Sequence, residues 1–147
     1  MPKNAVVKVK RLRASAALPD RASPGASGFD LYACLEGSPA LEVGPDPVIV
    51  PTGIAIELPR GIDAQVRPRS GLSSQGVEVS MGTIDSDYRG EIFITMHVFG
   101  SRRSHIVHHG DRIAQLVLSA LTDVSIQEAE TLTETKRGAG RHGSTGA

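Results

Sequence analysis

Thr52-Gly53-Ile54-Ala55-Ile56-Glu57-Leu58 is the stretch whose pattern decides the fold class. Ile54, Ile56 and Leu58 recur at every second residue, so an extended chain carries all three on one face. Working outward, residues 61–67 and 90–98 read as strands, and residues 5–12, 77–80, 105–108 and 112–119 as further short ones. Residues 39–51 hold Pro39, Gly44, Pro45, Pro47 and Pro51, which suits loops and edge strands, because proline cannot donate to a central ladder. Residues 70–75 make one short helix, stopped at Gly76. The 147 residues include 16 glycines and nine prolines, a punctuation that fits many short strands. The expected class is all-β.

The length suits one domain. Residues 1–125 read as the β core and residues 126–147 as an arm. From Lys136 onward the chain has no apolar residue larger than alanine. Such a segment buries too little surface to order itself, so a flexible C-terminal arm is expected.

Composition excludes several functions. Sixteen basic residues balance sixteen acidic ones, and a neutral chain has no global field to gather nucleic acid. Three phenylalanines, two tyrosines and no tryptophan cannot tile a stacking surface for single strands. No apolar run approaches the roughly 20 residues of a membrane span. Neither nucleic acid nor membrane is therefore an expected partner. The polar N-terminus has no signal-like apolar segment, which points to the cytoplasm. Cys34, the one cysteine, reads as a small core residue.

Five segments carry chemical groups. Gly28-Phe29-Asp30-Leu31 starts a strand, with Asp30 either capping a turn or serving a metal. Pro68-Arg69-Ser70-Gly71-Leu72 places a guanidinium fork and a hydroxyl at a helix start, where free N–H groups favour anions. Gly82-Thr83-Ile84-Asp85 leads into Ser86-Asp87-Tyr88-Arg89-Gly90. Asp85, held at a strand edge, is placed to deprotonate a water. Asp87, Arg89 and Glu91 read as a solvated strand face. Gly110-Asp111-Arg112-Ile113-Ala114-Gln115 is a turn followed by a strand. Arg137-Gly138-Ala139-Gly140-Arg141-His142-Gly143-Ser144-Thr145 combines charge, hydroxyls and backbone freedom, which suits a phosphate. His97 and His105 read as strand residues without a chemical task, and His108-His109 as surface residues, since neighbours on a strand point apart.

In this order and spacing the five segments resemble the motifs of the trimeric dUTP pyrophosphatase (dUTPase) family. The resemblance implies a jelly-roll-like distorted β-barrel with one short helix, assembled as a homotrimer with composite sites closed by the arm. It implies hydrolysis of dUTP to dUMP and pyrophosphate by water attack on the α-phosphorus, limiting uracil in DNA and supplying dUMP for dTMP synthesis. Asp85 is then the general base, and Tyr88 packs under the deoxyribose. The strand from Val79 through Gly82, Thr83 and Ile84 offers backbone groups to uracil. Arg69, Ser70, Gly71 and Gln115 hold phosphates. Arg137, Gly143, Ser144 and Thr145 clamp the γ-phosphate end. Magnesium, Mg2+, rides on the triphosphate, with Asp30 touching its waters.

Three positions depart from the family pattern. Val79 stands where an asparagine is common, and Phe93 where a basic or polar residue is common. Arg141-His142 replaces Gly-Phe, so the implied lid over uracil is the His142 imidazole, with weaker, pH-sensitive closure. Two other readings accompany the first: a dCTP deaminase-like relative, and a nucleotide-binding trimer with weakened turnover.

Overall fold

A computed structural model describes residues 5–141. The elements in chain order are β1 Lys8–Arg11, β2 Gly28–Tyr32, β3 Ala40–Val43, β4 Val48–Pro51, β5 Ile54–Glu57 and β6 Ile62–Arg67. Then follow α1 Ser70–Ser73, β7 Val77–Val79, β8 Gly82–Ile84, β9 Phe93–Val98, β10 His105–His108 and β11 Arg112–Ala120. The described residues are all-β, as their alternation indicates, with one short helix.

All the pairings are antiparallel. β1 pairs with β5, β10 with β3, and two larger sheets run β2-β11-β6-β8 and β4-β9-β7. In β6 the residues Ile62, Ala64 and Val66 point inward, and in β9 Ile94, Met96 and Val98 do so. The core closes around Leu31, Ile54, Ile94, Met96 and Ile113, all essentially inaccessible. Ile54, Ala55 and Ile56 are all buried, so β5 is covered on both faces. Cys34 is buried as expected.

Several boundaries differ from the sequence reading. The first strand is Lys8–Arg11, shorter than residues 5–12. The helix is one turn, and the chain continues through turns to Gly76. The proline-rich residues 39–51 contain two strands, β3 and β4, and Pro51 ends β4. β9 begins only at Phe93, because residues 85–92 are irregular.

One correction bears on the site. Residues 79–84 do not form one strand. β7 pairs with β9, whereas β8 pairs with β6 in the other sheet. The Val79 side chain is 1% exposed and lies in the core, opposite Met96. A substrate therefore meets at most the backbone of Val79.

Candidate functional site

Sheet register assembles the first group of residues. Asp30 of β2 lies opposite Gln115 of β11, and Gln115 lies opposite Arg67 of β6, so three segments distant in sequence meet in one row. The fit is close. A Cβ added at Gly28 would stand 2.5 Å from Gln115 Oε1, so any larger residue there would displace the Gln115 amide. Gln115 Nε2 donates to the Pro68 carbonyl at 2.9 Å, which pins the chain just before Arg69. A register shift between Arg112 and Ala114 breaks the alternation of β11. Ile113 and Ala114 are consequently both buried, while Arg112 stays exposed beside Asp30.

Asp30 is 8% exposed. Arg69 Nε stands 3.4 Å from Asp30 Oδ1, and Arg112 Nη1 stands 3.8 Å from Oδ2. Arg69 Nη1 also donates to the Arg112 carbonyl at 3.0 Å. One buried carboxylate thus orients two guanidinium groups without saturating them, which leaves donors for an anion. Asp30 Oδ2 is buried and has no hydrogen-bond partner among the described residues. Ser70 and Gly71 follow at the exposed start of α1. No helix-mate can accept their N–H groups.

The second group lies at the end of β8. Gly82, Thr83, Asp85, Tyr88 and Phe93 line a cleft of about 260 Å³. Asp85 is exposed. The Tyr88 N–H donates to the Asp85 carbonyl at 3.0 Å, and Arg89 Nη1 donates to the carbonyls of Ser86 and Tyr88 at 2.7 and 3.0 Å. These bonds hold the tight turn that projects Asp85. The Tyr88 ring folds back over Gly90, where an added Cβ would lie 2.6 Å from Cζ. Asp63 lies behind Asp85, across a hollow of about 460 Å³. Hydrogen bonds from Ser119 at 2.5 Å and Gln65 at 3.1 Å hold its carboxyl below the usual Asp range. That side of Asp85 is therefore negative and disfavours a phosphate.

The two groups do not meet within one chain. Ile84 lies opposite Ala64, so Asp85 follows toward the Asp63 end of β6, whereas Arg69 lies past the Arg67 end. The four residue-to-residue steps from Asp63 to Arg67 span roughly 13 Å of strand. Arg137 is exposed in a turn of the arm, with Nε donating to the Gly140 carbonyl at 3.3 Å. His142, Gly143, Ser144 and Thr145 lie outside the described residues.

One residue of this region differs from the sequence reading. Glu91, expected on a solvated face, is only 13% exposed at its side chain and pairs with Arg13. Phe93 is half exposed and walls the Asp85 cleft. Asp87 and Arg89 are exposed, as expected. His108 and His109 are exposed too, and His109 Nδ1 accepts the Leu35 N–H at 3.0 Å. Burial, with the Arg102 charge second, pushes the His105 imidazole down, and its Nδ1 lies 3.1 Å from Arg102 Nη2. Arg102 also donates to the Gln75 carbonyl behind α1, which makes this a structural tie.

A carboxylate on a turn beside a tyrosine, together with a separate arginine group that has donors left for an anion, is an arrangement that suits an all-β phosphate-ester hydrolase. The dUTPase family model matches residues 14–146. Deoxyuridine 5'-triphosphate nucleotidohydrolase of Neorickettsia sennetsu is 48% identical over 132 residues, 88% of this chain and 87% of the relative. The Syntrophotalea carbinolica enzyme of that name is 46% identical over 147 residues, 98% and 99% of the two chains. The solved dUTPase of Staphylococcus bacteriophage 80alpha with dUPNHPP matches with a TM-score of 0.84 over 97% and 99% of the chains. At 24% identity this likeness bears on the fold alone. A mutant dUTPase from phage phi11 of S. aureus, described with a structural Mg(II) ion, matches at TM-score 0.75 and 20% identity over 86% and 97%.

The chain belongs to the dUTPase family. It is a dUTP diphosphatase, the family and activity that the resemblance implies.

Proposed function

We propose that dUTP is cleaved at the α-phosphorus by a water that Asp85 orients and deprotonates, in a site shared between copies of a homotrimer. The separation of the Asp85 cleft from the Arg69 group along β6 carries this reading. A base at one end of a strand cannot serve a phosphate held beyond the other end. A second copy that presents its Arg69, Ser70, Gly71 and Gln115 to this Asp85 completes the site.

Within the cleft, backbone groups of residues 79–84 read the uracil edge, and Tyr88 lies under the sugar. The Asp30 carboxylate keeps the Arg69 fork turned toward the phosphates. Residues 126–147 act as an arm that brings Arg137, His142, Gly143, Ser144 and Thr145 over the nucleotide of another copy. No group of three or more His, Cys, Asp or Glu is gathered for a metal among the described residues. Asp30 Oδ2, which accepts no hydrogen bond among the described residues, nonetheless fits a Mg2+ ion carried by the triphosphate, since Mg2+ keeps several waters and needs few protein carboxylates. When bound, such an ion neutralises phosphate charge and polarises the reacting phosphoryl group. In the cell the reaction limits uracil entering DNA and supplies dUMP for dTMP synthesis.

The products test the reaction. Purified protein with dUTP and Mg2+ in heavy-oxygen water is expected to yield dUMP carrying the label and unlabelled pyrophosphate. Label in pyrophosphate contradicts attack at the α-phosphorus. Ammonia released from dCTP identifies a deaminase-like relative instead, and nucleotide binding without product identifies a weakened binding trimer.

A further inference from the structure

We propose that Glu91, anchored by Arg13, is a positioning residue for Tyr88 and so sets the preference for a deoxyribose over a ribose triphosphate. The inference rests on Tyr88 as the sugar contact.

The Tyr88 hydroxyl donates to the Glu91 backbone carbonyl at 2.8 Å, and the ring lies over Gly90. Its place therefore follows wherever residues 90 and 91 run. These two residues precede β9 and have no strand ladder of their own. The Glu91 side chain fixes them instead. Its Oε1 accepts from the Arg13 guanidinium and from the Gly53 N–H at 2.7 Å. The Arg13 side chain is 26% exposed, so the pair is shielded and loses less to salt than a surface pair. Both bonds are charge-assisted. One partner lies in the loop after β1 and the other between β4 and β5, so a single carboxylate ties the sugar-facing turn to two fixed parts of the barrel.

The effect of losing this tie is local. Ile92, the next residue, keeps its own anchors: its N–H donates to Ile54 at 2.9 Å, and its carbonyl accepts from Thr52 Oγ1 at 2.5 Å. Removing the Glu91 carboxylate frees the Gly90–Glu91 peptide while the barrel beyond it stays pinned. The ring then shifts, and a site that excludes a 2′-hydroxyl by close packing loses discrimination. A misplacement of about 1 Å at a reacting group can cost up to about 10²-fold.

The test measures kcat/KM for dUTP and UTP, and their ratio, in the full-length protein. Tyr88→Ala sets the floor of the ratio. Glu91→Ala is expected to lower the ratio about 10-fold, and Arg13→Ala about 3-fold, with Arg13→Lys restoring part of it. Glu91→Gln keeps an acceptor for Gly53 and falls between the wild type and Glu91→Ala. It also decides the matter with Arg13→Ala if Glu91→Ala does not fold. The double variant Tyr88→Ala/Glu91→Ala is expected to show no lower ratio than Tyr88→Ala alone, because the two act as one unit. A wild-type ratio in folded Glu91 and Arg13 variants, with a lowered one in Tyr88→Ala, overturns the inference and spares the sugar reading. An unchanged ratio in Tyr88→Ala removes the sugar reading, and the inference with it.

Discussion

Asp85→Asn is expected to lower kcat on dUTP by about 10³-fold and to leave dUTP affinity within a few-fold. The amide has the shape of the carboxylate but cannot take a proton from water. The turn that projects it is held by backbone bonds from Tyr88 and by Arg89, none of which involves the Asp85 side chain. The variant therefore keeps its fold and its cleft, and the loss falls on the chemical step. Asp63 and Asp87 border the same hollow, so another carboxylate is within the region. Asp63 already accepts from Ser119 and Gln65, and it lies on the side a phosphate avoids. Rescue by either neighbour is not expected. Rapid-quench turnover with equilibrium binding of dUTP checks both halves; unchanged turnover would remove Asp85 from its role.

Arg69→Ala is expected to reduce kcat/KM by about 10²-fold, since hydrogen bonds to charged groups contribute about 1.5–3 kcal/mol each and about 1.4 kcal/mol is tenfold. A second effect distinguishes it from Asp85→Asn. Arg69 is one of the two cations beside the buried Asp30 carboxylate. Its removal leaves Asp30 with Arg112 alone, and an under-partnered buried group costs about 1–3 kcal/mol. The thermal midpoint of Arg69→Ala should fall, whereas that of Asp85→Asn should stay near the wild type. Arg69→Lys keeps the charge but not the fork, and is expected to recover only part of the activity. Equal midpoints for Arg69→Ala and the wild type would show that Asp30 does not depend on Arg69.

The sequence made the class legible through one kind of signal. Ile54, Ile56 and Leu58 alternate, and all three are buried. The five motifs were legible too, because their chemistry is local: Gly-Asp for a turn, Arg-Ser-Gly at a helix start. What stayed hidden depends on contacts between distant segments. Nothing in Val77–Val79 tells that its partner is β9, or that Val79 faces inward. Glu91 sits among exposed Asp87 and Arg89, and only the fold brings Arg13 and Gly53 to it. Asp30 read as a turn cap or a metal contact, while two arginines, one from β11 and one just before α1, lie beside it. Long-range pairing decides each case, and a linear pattern does not encode it.

Central to the proposed mechanism is that Asp85 of one copy acts on a phosphate held by Arg69 of another. Mixing the two impaired variants tests it most directly. Asp85→Asn and Arg69→Ala chains, denatured and refolded together, should regain dUTP hydrolysis well above either variant refolded alone. A shared site formed from the intact Arg69 of one chain and the intact Asp85 of the other explains such recovery. Mixed oligomers that show no more activity than the separate variants would contradict it and place the whole site within a single chain.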